Sequence, residues 1–365
     1  IKALSNQKYQ ELVKVYGASE IGLLTGDSSI NGDAPIVVMT TEVLRNMIYA
    51  NPDAIANLGY VVMDEVHFLA DKFRGAVWEE ILIHLPERIQ VISLSATVSN
   101  AEEFGEWLKT VRGETDVVLS ELRPVPLYQH ILIGNRLLDM FVDDGRVNPE
   151  IVRLERNSTR RIPGGEGKNR GWQQKSYSNI KQLTRPEIIE KLKYAEYLPV
   201  IYFIFSRAGC DAALSQCIRE GISMTNSEEK EMIREIIAAK TSELPTEDFG
   251  ILNFYEWCQA LERGLASHHA GLLPMFKETV EELFQRGLLK VVFATETLAL
   301  GINMPARTVL LEKLIKWNGE THSAITPGEY TQLTGRAGRR GIDTEGNAVV
   351  VWSEQIDRSE EHTSE

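Results

Sequence analysis

An acidic pair, Asp64-Glu65, stands directly after the short apolar run Tyr60-Val61-Val62-Met63. A carboxylate at the end of a buried strand can hold Mg2+ through water while its neighbour orients or deprotonates an attacking water, a division of labour suited to phosphoryl transfer. On that reasoning Asp64 is assigned to the metal and Glu65 to the water. The string Asp64-Glu65-Val66-His67 is weak alone, because acidic pairs often decorate strand ends without any catalytic role. It gains from Ser95-Ala96-Thr97, which follows the next apolar run, Val91-Ile92-Ser93-Leu94, and should carry hydroxyls to the same sheet edge. Downstream, Gln332-Leu333-Thr334-Gly335-Arg336-Ala337-Gly338-Arg339-Arg340 spaces Arg336 and Arg339 for one face if the segment is helical. Two guanidiniums so placed can face a phosphate and stabilise the loose transition state of its transfer. The bland alternative, a solvated basic helix, has no need of Gly335 and Gly338.

These groups need strands to carry them. From Tyr9 to Leu122, apolar runs of strand length alternate with amphipathic helical patterns, the signature of a parallel sheet covered by helices. Ile36-Val37-Val38-Met39, Tyr60–Met63 and Val91–Leu94 are short and rich in β-branched residues, so they are expected side by side and buried on both faces. Ser99-x-x-Glu102 reads as a capping box opening a helix over 101–111, with Phe104, Trp107, Leu108 and Val111 on one face. The rhythm breaks over 134–198, where Pro163-Gly164-Gly165 and Gly167 sit among basic residues. This stretch reads as a basic insertion and linker, with Arg153, Arg156, Arg160, Arg161, Lys168, Arg170, Lys175, Lys181 and Arg185 either contacting phosphates or forming a solvated, mobile insertion. A second α/β run starts at 199–200, with a strand through Phe205, helices over 211–219 and 228–240, and a helix through Phe276, Val280, Leu283 and Phe284 that Gly287 can end. Asn318-Gly319 signals a two-residue hairpin. The expected domains are therefore a first lobe over 1–133, the insertion over 134–198, a second lobe over 199–352, and a tail over 353–365.

At 365 residues, 43% of them hydrophobic, the chain can bury two domain-sized cores. No apolar stretch approaches the ~20 residues that span a bilayer, so no membrane partner is expected. Cys210, Cys217 and Cys258 form neither a C-x-x-C pair nor an even disulfide framework, which points to a reducing compartment, the cytoplasm, and away from zinc. A net charge of −13 argues against a nucleic-acid partner only until the local basic stretch is considered.

Taken in order and spacing, Asp64–His67, Ser95–Thr97 and Gln332-x-x-Gly335-Arg336-x-Gly338-Arg339 resemble motifs II, III and VI of superfamily-two helicases. More specifically, the chain is similar to the superkiller-type DExH RNA helicases and their bacterial HelY branch, from Lys2 to about Trp352. Ala3–Lys8 resembles motif Ia, Thr25-Gly26-Asp27 motif Ic, Thr40–Arg45 motif Ib, Phe205-Ser206-Arg207 motif IV, His268–Leu272 its companion, and Ala294–Pro305 motif V. The resemblance implies an α/β fold of two RecA-like parallel-sheet lobes in tandem, the first incomplete, with ATP and Mg2+ as cofactors. It implies catalytic roles for Asp64, Glu65, His67, Gln332, Arg336 and Arg339, and coupling roles for Ser95, Thr97, Gly301 and Asn303. It places nucleic-acid contacts at Asn6, Gln7, Gly26, Thr40, Thr41, Arg45, Ser206, Arg207, His269, Thr295 and Trp317, the last as a wedge at the tip of a strand-separating hairpin; an ordinary edge hairpin is the alternative. The physical reading agrees, since hydroxyls, amides and helix N-termini grip a sugar-phosphate backbone without reading bases. His268-His269 invites a metal reading, but adjacent histidines without spaced partners rarely ligate one ion, and a strand-contact or interface role is preferred. The implied substrate is single-stranded or partly duplex nucleic acid, RNA by resemblance, traversed 3′ to 5′, and a nuclease is an admissible protein partner.

One departure matters as much. No G-x-x-x-x-G-K-[ST] occurs in the sequence, and in the family that phosphate-binding loop precedes motif Ia. The chain is therefore expected to begin downstream of the loop and to lack ATPase activity in isolation. The segment 358–365 also leaves the family pattern and is expected to be foreign to the native protein. A non-hydrolysing nucleic-acid clamp is the competing reading, and the intact Glu65, Arg336 and Arg339 argue against it.

Overall fold

The computed structural model describes residues 2–50, 52–66, 69, 75–95, 101–120, 122–142, 145–158, 180–298, 304–317 and 321–353. His67, Thr97, Gly301, Asn303, the cap residue Ser99, the Asn318-Gly319 pair and most of the basic stretch lie outside them. Two compact units emerge, 1–122 and 123–365.

The first unit contains α1 (Lys2–Tyr16), β1 (Ile21–Leu24), β2 (Ser29–Ile30), β3 (Ile36–Met39), α2 (Thr41–Ala50), β4 (Tyr60–Met63), α3 (Gly75–His84), β5 (Gln90–Ser93) and α4 (Ala101–Arg112). β1 pairs in parallel with β3 and antiparallel with β2, while β4 and β5 form a separate parallel pair. Gly22 is required within β1, because a Cβ there would sit 2.2 Å from the carbonyl oxygen of Asn31. The core lies on one side of β4–β5: Val61 and Met63 pack with Trp78, Ile81 and Leu82, spaced i, i+3, i+4 along α3, and with Leu108 of α4. Complete burial of Ile81 and Leu82 contributes about 1.5–3 kcal/mol each.

Two expectations are corrected here. The three apolar runs do not form one ladder among the described residues, because β3 pairs with β1 rather than with β4. Nor are they buried on both faces: Tyr60, Val62, Ile92 and Leu94 are all exposed. A continuous apolar run records the capacity for double burial, and here only one face is covered.

The second unit runs through β6 (Leu127–Ile133), β7 (Arg136–Asp139), α5 (Pro149–Ser158), α6 (Arg185–Tyr194), β8 (Val200–Phe203), α7 (Arg207–Arg219), α8 (Ser227–Lys240), α9 (Phe254–Glu262), β9 (Leu265–His268), α10 (Pro274–Gln285), β10 (Val291–Ala294), β11 (Thr308–Leu311), β12 (Ile315–Trp317), β13 (His322–Ala324), α11 (Pro327–Thr334) and β14 (Gly346–Val351). Its seven-stranded sheet has the order β7-β6-β14-β11-β8-β10-β9, parallel except for β7. Strands β8, β9, β10 and β11 are buried along their whole length. Alternate side chains of β8 enter two clusters: Ile201 and Phe203 meet α8, α9 and α10, while Val200 and Tyr202 meet α6 and α7. In α10, Pro274 starts the helix and Phe276, Val280, Leu283 and Phe284 form its buried face. Gly287 follows its end at a φ of 72°, a left-handed position that glycine occupies without penalty.

The expected boundary at 133 moves to Leu122, because β6 pairs with β14 in the second sheet. The insertion reading of 134–198 is corrected as well: β7, α5 and α6 belong to this unit, and α6 carries a capping box between Thr184 and Glu187. Arg185, counted among the free basic residues, is committed to a bidentate pair with Glu312 at 2.8 Å. The glycine-rich segment 159–179 of this stretch lies outside the described residues. The β12–β13 ribbon pairs Trp317 with His322, while the Asn318-Gly319 turn expected between them lies outside the described residues.

Candidate nucleotide and nucleic-acid site

In the first unit, the β4–β5 ladder continues past both strands. Leu94 N donates to Met63 O at 2.9 Å and Val66 N donates to Leu94 O at 2.8 Å. These bonds bring Ser95 alongside the Glu65-Val66 turn, as the two motifs required. Glu65 adopts a φ of 60°, and the Asp64 carboxylate accepts a hydrogen bond from its amide at 3.1 Å. A non-glycine residue held there costs roughly 1–2 kcal/mol, and such strain gathers where side-chain aim matters. No group of three or more His, Cys, Asp or Glu side chains capable of holding a metal occurs among the described residues. The two neighbouring carboxylates are not a cage, but they fit Mg2+, which keeps several waters and takes only one or two carboxylates. Asp64 is the more exposed of the two.

The other first-unit candidates gather at the carboxyl ends of β1 and β3, where Leu24 and Met39 are in register. Thr25-Gly26 sits in a tight turn closed by Thr25 N to Ser28 O at 2.8 Å, and the Thr25 hydroxyl donates to Asp27 at 3.1 Å. Thr40 precedes α2 and accepts from the amides of Val43 and Leu44 through its carbonyl. Thr41 donates to Glu42 at 3.3 Å. Burial works to raise the Glu42 pKa, yet hydrogen bonds from its own backbone amide and from Thr40 and Thr41 hold it below the usual value. The helix start is thus already suited to an anion. Arg45 lies 3.9 Å from Glu80, and Asn6 and Gln7 occupy α1, which packs on β1.

In the second unit, Phe203, Ala294 and His268 are in register across β8, β10 and β9. Ser206, Thr295 and His269 therefore leave the sheet at one edge. Ser206 caps α7, accepting from Gly209 N at 3.2 Å, and Arg207 beside it is exposed. His269 is buried and fixed at both nitrogens: Nε2 lies 3.0 Å from Asp211, and Nδ1 accepts from Gly271 N at 3.2 Å. That pattern selects the tautomer protonated on Nε2. His268 points to a different partner, Glu281, at 2.9 Å. Thr295 is also buried, and its hydroxyl bonds to that of Thr297 at 2.9 Å.

The arginine motif departs from the helical expectation. Helix α11 carries Gln332 and ends at Thr334, so Arg336 and Arg339 share no helix face. Gly335 must be glycine, since a Cβ would lie 2.9 Å from Thr331 O. The loop beyond crosses to the segment before β11, with Ala306 N donating to Arg336 O at 2.9 Å and Gly338 N donating to Ala306 O at 2.7 Å. Arg339 forms a bidentate pair with Asp343, both bonds at 2.8 Å. Arg123, which begins this unit, donates to Ala337 O at 2.7 Å and reaches the carbonyls of Thr334 and Gly335 at 3.3 and 3.4 Å.

Comparison with known proteins bears directly on these loops. The DEAD/DEAH box helicase family matches residues 1–104, and the helicase conserved C-terminal domain matches residues 212–341. A probable helicase HelY of Mycobacterium tuberculosis is 56% identical over 99% of the chain. Superkiller complex protein 2 of Homo sapiens is 39% identical and the ATP-dependent RNA helicase mtr4 of Schizosaccharomyces pombe 38% identical, each over 98% of the chain. The chain belongs to the superkiller-like DExH helicases of superfamily two. Its two units are the tandem RecA-like lobes of that family, and it spans 40% of the length of the mycobacterial relative and 29% of the human one.

Within this helicase core, several residues at the site escaped the sequence reading. Arg123 carries no motif signal, being tied to the arginine loop only by the fold. Asp343 stands four residues after Arg339, a spacing that the sequence offers without marking it as a pair. Asp211 and Glu281, the partners of the adjacent histidines, lie on α7 and α10, 58 and 13 residues from them in sequence. Lys316 donates to both Glu296 and Glu329 and had been passed over beside Trp317.

Proposed function

We propose that the protein containing this chain is an ATP-driven helicase that steps 3′ to 5′ along single-stranded nucleic acid, with RNA as its substrate, and opens duplex ahead of it. The observation that carries this reading is the Asp64-Glu65 turn: a strained, water-accessible acidic pair at the carboxyl end of a parallel strand, with Ser95 alongside. ATP bound with Mg2+ would supply the reactive phosphoryl group. Asp64 would hold the metal through water, Glu65 would accept a proton from the attacking water, and Arg336 and Arg339 would supply positive charge to the phosphates. Thr25, Thr40, Thr41 and the N-terminus of α2 would bind backbone phosphates in one lobe, and Ser206, Arg207 and the N-terminus of α7 in the other. Thr295 and His269, both buried, would shape that surface rather than lead the contacts. Trp317, exposed beside His322 with ring centroids 5.1 Å apart, would stack on a base at the duplex junction. We further assign the protein to the cytoplasm, with a nuclease as partner.

A non-hydrolysing clamp built on the same two lobes is the competing reading. Both readings predict salt-dependent strand binding, so hydrolysis separates them. In the full-length protein, RNA-stimulated ATP hydrolysis is expected, and Glu65→Gln should lower it by about 10²–10⁴-fold while leaving RNA binding in place. Wild-type protein that binds RNA without hydrolysing ATP would establish the clamp.

A further inference from the structure

We infer that Lys316 is a positioning residue that couples the β12–β13 ribbon to the two segments carrying motifs V and VI, so that ATP-driven movement of the second lobe reaches Trp317. Its ammonium lies 2.6 Å from Glu296 Oε2 and 2.7 Å from Glu329 Oε1. Glu296 opens the 3-10 turn Glu296–Leu298 directly after β10, beside Thr295. Glu329 lies in the first turn of α11, the helix that bears Gln332 and feeds the Arg336–Arg339 loop. One cation thus joins three elements that no sheet pairing connects, because β12 and β13 form a sheet of their own.

The geometry is that of a lock rather than an incidental surface pair. The Lys316 side chain is 17% exposed, well below the 47% of Lys109, whose partner Glu106 lies along its own helix. Burial works to lower the Lys316 pKa, and the two carboxylates outweigh it and hold it above the usual value. Glu329 is doubly engaged, since its other oxygen accepts from Thr326 N at 2.8 Å and closes the capping box of α11. Any rotation of α11 therefore pulls on Lys316 directly. Neighbouring residues of a strand face opposite ways, so anchoring Lys316 inward fixes Trp317 outward, where it is 54% exposed. Without the ammonium, Glu296 and Glu329 would confront each other as like charges, and the ribbon would lose its tie to both.

The proposal rests on the helicase reading for its consequence, but the lock itself can be tested independently. In the full-length protein, Lys316→Met and Lys316→Arg are compared with wild type by hydrogen–deuterium exchange over 315–324 and 327–334, by RNA-stimulated ATP hydrolysis, and by unwinding of a 3′-tailed duplex. Lys316→Met is expected to raise exchange in both segments, keep hydrolysis within about twofold, and lower duplex opened per ATP at least tenfold, with Lys316→Arg restoring most of it. Unchanged exchange in Lys316→Met overturns the lock. Raised exchange with unchanged duplex opened per ATP overturns its coupling role, as does a parallel loss of hydrolysis and unwinding in a folded variant. If wild type neither hydrolyses ATP nor unwinds, the helicase reading fails instead, and the exchange data alone decide whether Lys316 holds the ribbon.

Discussion

The runs Tyr60-Val61-Val62-Met63 and Val200-Ile201-Tyr202-Phe203 are nearly interchangeable as sequence, yet the two units treat them differently. In the second unit, β8 lies between β10 and β11 with helices against both of its faces, and every residue is buried. In the first, β4 pairs with β5 and alternates between buried and exposed residues, with Tyr60 at 65% and Val62 at 59%. The site residues follow the same contrast. Asp64 and the Thr25-Gly26 turn stand open to water, whereas His269, Thr295 and Arg339 are held by neighbours before any ligand arrives. The first lobe presents Asp64 on an open edge, and the second sets His269, Thr295 and Arg339 into a finished framework while leaving Ser206 and Arg207 exposed.

Truncating matched aromatics on the two sheets gives the largest effect that this contrast predicts. Phe293 in β10 is fully buried and stacks at a tilt on Tyr202, with ring centroids 5.3 Å apart. Phe293→Ala is expected to cost ~3–5 kcal/mol through lost burial and a residual cavity. Tyr60→Ala, on an exposed face, should change stability by no more than about 0.5 kcal/mol. Urea unfolding of the chain followed by tryptophan fluorescence measures both, and similar shifts for the two variants would break the comparison.

Much of this architecture was legible in the sequence, and the failures share a cause. Strand positions, the α10 face and its glycine stop follow from local periodicity and turn chemistry, which a short window contains. The placement of Asp64-Glu65 beside Ser95 was also readable, because parallel strands with short crossovers bring their carboxyl ends together. What could not be read was partnership. Nothing local states that Tyr60–Met63 is covered on one side only, or that β6 crosses to the second sheet beside β14. Nothing local ties Arg123 to the carbonyls of 334–337, more than two hundred residues away. The helical reading of Arg336 and Arg339 failed because α11 ends at Thr334, with Gly335 as its C-cap, before either arginine is reached.

Two glycines within the motifs sharpen the contrast at an intermediate scale. A Cβ at Gly26 would meet nothing within 4 Å, whereas at Gly338, with a φ of 89°, it would lie 2.6 Å from a Val125 methyl and 3.3 Å from Gly346 Cα. Gly338→Ala should therefore destabilise the chain by about 1–3 kcal/mol, combining left-handed strain with overpacking. Gly341 offers an internal control, since its φ is 78° and its Cβ would be in open space. Gly341→Ala should cost only the strain, about 1–2 kcal/mol, and Gly26→Ala should fall within about 0.5 kcal/mol of wild type. Thermal unfolding ranks the three, and equal melting temperatures for the Gly338 and Gly341 variants would show that the loop yields to Val125.

A further effect concerns the ion pair that holds the arginine loop. Burial works to raise the Asp343 carboxyl pKa, but hydrogen bonds from the Arg339 guanidinium and backbone amide hold it below the ordinary value of 3.8. A carboxylate whose pKa is depressed in the folded state binds fewer protons there than in the unfolded chain. Its contribution is therefore complete above the unfolded value near 4 and disappears as the pH falls through the folded one. Asp343→Asn should cost about 1–3 kcal/mol at neutral pH, because it leaves a partly buried guanidinium without its charge partner. Once the pH has fallen through the folded-state value, the variant and wild type should converge, since the native aspartate is then also neutral. Denaturation midpoints measured from pH 7 down through the acid range until Asp343 is protonated test this, and an offset that persists after that protonation would mean that Arg339 takes its stability from another partner.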